Sequence, residues 1–379
     1  MKGELHSAIT INKLIEEELR HDHFVVKSDK NQGLFSMSSG ERKKALLKYL
    51  VSQKPDFMIL DDIYGNIDKE TQLAIKKELI ELSEYILFIQ IFFRKSDALP
   101  FLDRIFSING QNRIIDEQNL NDFLTKDSSG SFNIKNLEVP LAYNKTEKAE
   151  TQKLVELNSI SAYYGKCQVL NDINWTIKQN EFWQLVGPNG SGKSTLVSMI
   201  TGDNSFGYGQ NLFLFGRKKG TGESIWDIKH KIGYFTPAMI HRFNHNDSVE
   251  NMIISGFKDS VGLYSKASKM QQQIASRWLN LLEMDNGKQK FRNLSVGQQR
   301  MIMVARAMVK HPPLLILDEP TIELDDENSI RFVKMINAIK SENNTAIIYV
   351  SHRDEEGLNP DNIFELVPTH SGYTGQVKK

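Results

Sequence analysis

Gly187-Pro188-Asn189-Gly190-Ser191-Gly192-Lys193-Ser194-Thr195 is the stretch that decides what kind of sheet this chain builds. Glycines at this spacing let backbone N–H groups converge on phosphate oxygens, and the helix that follows points its positive end at the same anion. Lys193 would reach the β- and γ-phosphates of a nucleotide, and Ser194 would hold Mg²⁺. Taken alone, such a loop fits a GTPase, a kinase or a helicase, so the residues downstream must narrow the choice.

Downstream, the apolar run Leu314-Leu315-Ile316-Leu317 reads as a strand that delivers Asp318 and Glu319 at its C-terminal end, where ligands sit in open α/β sheets. Asp318 suits the second shell of Mg²⁺ and is counted with Ser194 among the metal residues, and Glu319 suits a base that polarises an attacking water. His352, in Tyr349-Val350-Ser351-His352-Arg353, follows a second apolar strand at a point where it could align that water against a γ-phosphate. Between loop and acid pair stands Leu294-Ser295-Val296-Gly297-Gln298. The signature and the acid pair both recur earlier, as Met37-Ser38-Ser39-Gly40-Glu41 and Ile59-Leu60-Asp61-Asp62. Ser38 and Asp61 are 23 positions apart, as are Ser295 and Asp318, which marks an internal repeat. The phosphate loop precedes the second acid pair by about 125 positions, whereas only 60 residues precede Asp61, so the first copy has no room for a loop of its own.

Bulk properties exclude other classes. A chain of 379 residues, 40% hydrophobic and 25% charged, has material for one large or two medium cores. Lys plus Arg equals Asp plus Glu at 47 each, so no net field draws it to nucleic acid or anionic lipid, and no direct nucleic-acid partner is expected. The basic clusters Arg42-Lys43-Lys44 and Arg217-Lys218-Lys219 read as solvated faces. The longest apolar run, Tyr85 to Phe93, is about half of what a membrane helix needs and reads as a buried strand. The start carries no apolar secretory core, and the single Cys167 rules out an internal disulfide framework, so a cytoplasmic address is expected, with a peripheral place at the inner membrane face left open.

Along the chain, Ile9, Ile11, Leu14, Ile15 and Leu19 predict an amphipathic helix within the first 20 residues. A helix over 41–53, a strand over Phe57–Leu60 and a helix over Lys69–Leu82 follow, in the grammar of a parallel sheet covered by helices. Residues 118–152 are polar and read as a linker between a first domain, 1–117, and a second, 153–379. The second begins with β-type alternation at Leu154 and Leu157, has a helix-rich middle from Ser248 to Met284, and ends near Val367.

The ordered set of loop, signature, acid pair and His resembles the nucleotide-binding domain of the ATP-binding-cassette (ABC) superfamily over residues 153–368. The resemblance implies an α/β P-loop fold, a mixed sheet with a helical subdomain, present twice with the first copy incomplete. It implies ATP as ligand, Mg²⁺ as cofactor and hydrolysis as activity. Tyr164 would stack on adenine, and Asp325, matched by Asp68 in the first copy, would be the D-loop carboxylate. Units of this family work head to tail. The resemblance therefore sets Lys193, Asp318, Glu319 and His352 against Ser38, Ser39 and Gly40, and leaves Ser295, Gly297 and Gln298 without a partner loop. A homodimer through two second units is the other arrangement open to it. The first copy departs from the family pattern: Asp62 stands where the second copy has Glu319, and Phe93 or Phe92 fills the position of His352. The glutamine expected after Ile232-Gly233-Tyr234 is replaced by Phe235-Thr236-Pro237-Ala238, a loop that contacts the membrane subunit in transporters.

A finer resemblance runs through Thr201-Gly202-Asp203, Leu212-Phe213-Leu214-Phe215-Gly216-Arg217, Gly220 to Lys229 and Ser255 to Tyr264. These segments are similar to the soluble tandem ABC proteins of the ModF type, the molybdate-transport or photorepair ATP-binding proteins. Members carry two full units, which implies that this chain lacks the first half of its first unit, through a late start or as a piece of a longer chain. The expected function is an ATPase whose closure acts on a protein partner not named by the sequence. Alternatives are the energy-coupling subunit of a molybdate or other importer, with a membrane permease as partner, a nucleotide-gated regulator, and a translation-factor-like tandem protein.

Overall fold

The computed structural model describes residues 1–21, 24–27, 32–65, 67–108, 114–125, 139–140, 152–243, 246–284, 286–342, 345–353 and 355–378. Two compact units emerge. One comprises Met1–Ser131 with Ile322–Glu327, and the other Phe132–Thr321 with Asn328–Lys379.

In the first unit, β1 (Gly3–His6) and α1 (Ala8–His21) are followed by α2 (Ser39–Ser52), β2 (Phe57–Asp61), α3 (Lys69–Leu82) and β3 (Leu87–Ile91). The three strands form a parallel sheet in the order β1-β2-β3. Its core sets Met58 and Leu60 of β2 against Leu46, Leu47 and Leu50 of α2 and Ile75 and Leu79 of α3. Both later helices start at side-chain caps: Ser38 accepts from the Glu41 N–H in a reciprocal capping box, and Asp68 accepts from Thr71 N–H. A hairpin of β4 (Arg104–Ile108) and β5 (Ile114–Asn119) and the short α4 (Leu120–Thr125) complete the unit.

The second unit holds a ten-stranded mixed sheet. Its strands are β6 (Lys153–Tyr164), β7 (Cys167–Lys178), β8 (Phe182–Val186), β9 (Asn211–Leu214), β10 (Arg217–Lys218), β11 (Ile232–Phe235), β12 (Leu314–Asp318), β13 (Ala346–Val350), β14 (Asn362–Pro368) and β15 (Tyr373–Lys378). The order is β10-β9-β6-β7-β15-β14-β8-β13-β12-β11, with β14, β8, β13, β12 and β11 mutually parallel. Strands buried on both faces read as continuous apolar runs, and β12 and β13 are of that kind. The phosphate-loop helix α5 (Lys193–Thr201) covers this sheet, and α6 (Ile225–His230), α7 (Val249–Ser255), α8 (Lys269–Leu281), α9 (Val296–Met308) and α10 (Asp326–Glu342) follow.

The repeat is visible in the hydrogen bonds. Asp62 N–H donates to Ile91 O at 3.1 Å, and Glu319 N–H donates to Val350 O at 2.9 Å. Lys43 Nζ donates to the carbonyls of Asp62 (2.6 Å), Ile63 (3.2 Å) and Gly65 (2.7 Å); Arg300, at the matching place, donates to Pro320 O at 3.0 Å. A Cβ on Gly40 would meet Thr71 at 3.2 Å, and one on Gly297 would meet Asn328 at 2.5 Å. Each signature glycine thus lets one helix start lie close against the next helix.

Several sequence expectations need correction. The run Tyr85–Phe93 supplies a strand, but not a buried one: Leu87, Ile89 and Ile91, which share one face of β3, the end strand of the sheet among the described residues, are 64%, 48% and 48% exposed. A strand, β1, precedes the first helix, and β15 follows the expected end at Val367. Of the 118–152 interval, 118–125 finish a strand and form α4, and the rest, apart from 139–140 and 152, lies outside the described residues. The basic clusters are not simply solvated: Arg42 donates to Leu34 O and Phe35 O at 2.8 Å each, Lys43 binds the carbonyls above, and Lys219 is buried over the Tyr208 ring. Long side chains reach local carbonyls that a window of sequence does not reveal.

An open apolar edge has a measurable consequence. Hydrogen exchange of the β3 amides is expected to be orders of magnitude faster than that of β13, and Ile89→Lys is expected to reduce aggregation at less than about 1 kcal/mol of stability, since the site is half exposed. Equal protection of β3 and β13, or an Ile89→Lys variant that aggregates as the parent does, would contradict this account of the edge.

Candidate nucleotide site

The phosphate loop joins β8 to α5. Gly192 sits at φ 95°, where an added Cβ would come within 2.6 Å of the Leu170 side chain, so only glycine serves there. Space around Gly190 is open to 4 Å. Lys193 is buried and its Nζ donates to Gly187 O at 2.8 Å and Pro188 O at 2.9 Å, which holds the ammonium across the loop. Ser191 Oγ is buried without a hydrogen-bond partner, a polar atom aimed into the loop itself. Ser194 is exposed on the first turn of α5. These features fit a phosphate chain: a glycine-rich turn opening a helix, one cation and an unspent hydroxyl.

The acids come from the end of β12, which β13 separates from β8 in the sheet. Asp318 closes β12, and its carboxyl is pushed up by burial, opposed by a hydrogen bond from Tyr234 and by the Lys193 charge. Glu319 takes the left-handed conformation, φ 52°, as does Asp62 at φ 45° in the first unit. That strain belongs to the turn of the repeat and is not by itself a mark of catalysis. Burial pushes the Glu319 carboxyl up to about 7 against the opposing pull of Lys193, and His352 Nε2 stands 3.1 Å from Glu319 Oε1. A carboxyl that titrates near neutrality beside an imidazole has the chemistry to take up a proton at near-neutral pH. A hydroxyl on Ser194 and a carboxylate on Asp318 are the hard oxygen donors that Mg²⁺ prefers, and this cation takes few protein ligands because it keeps its waters.

Tyr164 lies at the end of β6, its hydroxyl 3.1 Å from Thr195 Oγ1 and its ring packed edge-on against Phe206 at 5.0 Å. About half of the side chain remains exposed. Asn189 and Thr195 belong to the same loop and first helical turn.

The signature residues are placed differently. Ser295 is the N-cap of α9, accepting from Gln298 N–H at 3.3 Å, while the Gln298 carboxamide accepts from Ser295 N–H at 3.0 Å. Ser38 makes the same box with Glu41, and Ser39 opens α2. Asp68 caps α3, and Asp325 falls in the Ile322–Glu327 segment that clusters with the first unit. The strand register settles the alignment at the His352 position: Asp61 pairs with Ile91 and Asp318 with Val350, so Phe93 stands where His352 does.

Sequence reasoning missed three groups of contacts. Lys43 and Arg300, five residues after each signature serine, tie the signature helix to the turn after the acids; that shared spacing is a signal a repeat alignment contains. The buried set of Thr321, Tyr349 and Glu355, with Thr321 Oγ1 2.5 Å from Glu355, links the turn after Glu319 to the segment after His352. Tyr234 touches Asp318 from β11.

A family model described as ABC transporter matches residues 170–322. The ABC transporter ATP-binding protein ModF of Escherichia coli is 33% identical over 330 residues, covering 84% of this chain and 67% of that protein. The uncharacterized ABC transporter ATP-binding protein C323.04 of Schizosaccharomyces pombe is 29% identical over 332 residues, covering 85% and 66%. The zinc uptake system ATP-binding protein ZurA of Listeria innocua is 33% identical over 205 residues, covering 53% and 77%. The chain thus spans about two thirds of the length of the first two. Among solved structures, cbiO1 from Clostridium perfringens, part of the ABC transporter complex cbiONQ, superposes with a TM-score of 0.50 at 23% identity, over 57% of this chain and 85% of that one, a likeness of fold.

Proposed function

The chain belongs to the ABC transporter ATP-binding family, a family of ATPases, and from that premise we propose that its second unit binds one ATP and hydrolyses it to ADP and phosphate as a soluble tandem protein of the ModF type. The observation that carries this reading is the pair of Glu319 and His352, 3.1 Å apart at the strand ends beside the phosphate loop. In it, the N–H groups of the loop and the Lys193 ammonium hold the β- and γ-phosphates, and Tyr164 stacks on the base. Ser194 and Asp318 would hold Mg²⁺, which would supply charge neutralisation to the phosphates. Glu319 takes the proton of the attacking water as its oxygen bonds to the γ-phosphorus, and His352 orients that water. The bond from the γ-phosphorus to the bridging oxygen breaks, and ADP carries the electron pair away.

A second reading, the ATP-binding subunit of an uptake system, is favoured by the exposed Val261, Tyr264 and Met270 of the helical region and by the likeness to a zinc uptake system ATP-binding protein. Co-purification of a permease with the chain from membranes would support it. No described helix is long and apolar enough to cross a membrane.

With one phosphate loop per chain, calorimetric titration with ATP is expected to give one site per chain, and Asp62→Ala or Phe93→Ala to leave hydrolysis within about twofold, as for groups that touch no nucleotide. Two equivalent sites, or a large loss in either variant, would remove the single-site reading.

A further inference from the structure

The segment after β11 carries no glutamine toward the nucleotide. It turns at once into a short helical stretch, Pro237–Arg242, that begins with proline. What β11 does send toward the site is Tyr234. Register pairs Tyr234 with Ile316 of the adjacent strand, two residues short of Asp318, and residues two apart in a strand share a face, so Tyr234 and Asp318 lie on the same face of the sheet. The Tyr234 hydroxyl lies 3.4 Å from Asp318 Oδ2, and among the described residues it is the one side chain that donates to this carboxylate.

The torsion that turns a carboxylate about its last bond is soft and roughly two-fold. Asp318 at the end of a buried strand therefore has a fixed position and a free orientation, unless a donor chooses one oxygen. We propose that Tyr234 is a positioning residue of the metal site: its hydroxyl holds Asp318 Oδ2 and so presents Oδ1 to the divalent cation bound with ATP. The inference rests on the reading of Asp318 as a metal donor given above. Tyr234 never touches the cation. It acts as the outer partners of metal-bound carboxylates do, by removing wrong orientations before the ion arrives. The contact is long in the free protein and would shorten when a cation draws the carboxylate into line, as site hydrogen bonds commonly do on ligation.

The test uses the full chain with ADP, so that no hydrolysis intervenes, and Mn²⁺ as the probe, read by the loss of its free electron paramagnetic resonance signal. Tyr234→Phe keeps the ring and removes only the hydroxyl. It is expected to weaken Mn²⁺ binding in the ADP complex by about 10-fold, the lower end of the effect of such outer partners, with ADP affinity in EDTA unchanged. Asp318→Asn, measured beside it, should weaken Mn²⁺ further. Parental Mn²⁺ affinity in Tyr234→Phe, with Asp318→Asn still impaired, overturns the positioning role and leaves the metal reading standing. Parental affinity in both overturns the metal reading too. Equal loss of ADP affinity in EDTA would make Tyr234 a prop of the strand and also overturn the proposal.

Discussion

Glu319→Gln is expected to bind ATP as tightly as the parent, to lose turnover by about 10²–10⁴-fold, and to melt at a higher temperature than the parent at pH 8. The first two effects follow from the role of the carboxylate as proton acceptor, which an amide of the same shape cannot fill. The third follows from burial. Glu319 titrates at about 7 in the folded chain, above its ordinary value, because the site desolvates its charge more than Lys193 compensates. The unfolded chain therefore releases this proton more readily than the folded one. Below about pH 4.5 both states hold the proton and folding loses nothing; between there and pH 7 stability falls as pH rises; above 7 the full cost is present, roughly 3 kcal/mol. Glutamine mimics the protonated acid and still accepts from His352, so the variant escapes that cost at pH 8 and gains nothing at pH 4.5. The same titration places the acidic limb of kcat/KM near pH 7, with activity rising through it. Turnover close to parental would remove Glu319 from the base role, and a melting difference that does not grow between pH 5 and pH 8 would refute the burial account.

What the sequence conveyed depended on range. The loop Gly187–Thr195, the strand into Asp318 and Glu319, and the α3 span Lys69–Leu82 are local patterns, each fixed by neighbours within a few residues, and each was legible. Burial of β3 was not. Leu87, Ile89 and Ile91 look like core because apolar runs usually are, yet whether their side chains are buried depends on what packs over the sheet face they share, which no window around residue 89 contains. The Ser38 and Ser295 signatures show a subtler gap. Spacing to Glu41 and Gln298 is that of a capping box, and in each unit the serine is engaged as a cap, so one motif serves helix initiation whatever else it does. Tyr234 lay beyond reach for a topological reason: β11 and β12 are adjacent in the sheet but about 80 residues apart in the chain, and the hydrogen bond between Tyr234 and Asp318 exists only once that pairing is known.

Lys193→Ala is expected to weaken ATP binding by about 10²–10⁴-fold, the loss of charge-assisted bonds to two phosphates at roughly 1.5–3 kcal/mol each. The loop's N–H donors would remain, but neutral donors do not offset the charge of a triphosphate in a partly desolvated cleft. A second consequence separates this lysine from a generic surface cation. Its charge is the largest influence holding the Glu319 carboxyl down against burial. Without it, the Glu319 pKa moves higher still, so the acidic limb of any residual activity moves to higher pH. Lys193→Arg keeps the charge but presents a planar fork in place of a compact ammonium that now fits between Gly187 O and Pro188 O. It should leave the acidic limb near its parental place while still binding ATP poorly, because the larger head cannot sit across the loop. Binding and the position of the limb are thereby read apart: charge sets the limb, and shape with charge sets the affinity. Parental ATP affinity in Lys193→Ala would mean that the backbone cradle of Gly190, Ser191 and Gly192 suffices by itself, and an unmoved limb in that variant would place Lys193 too far from Glu319 to tune it.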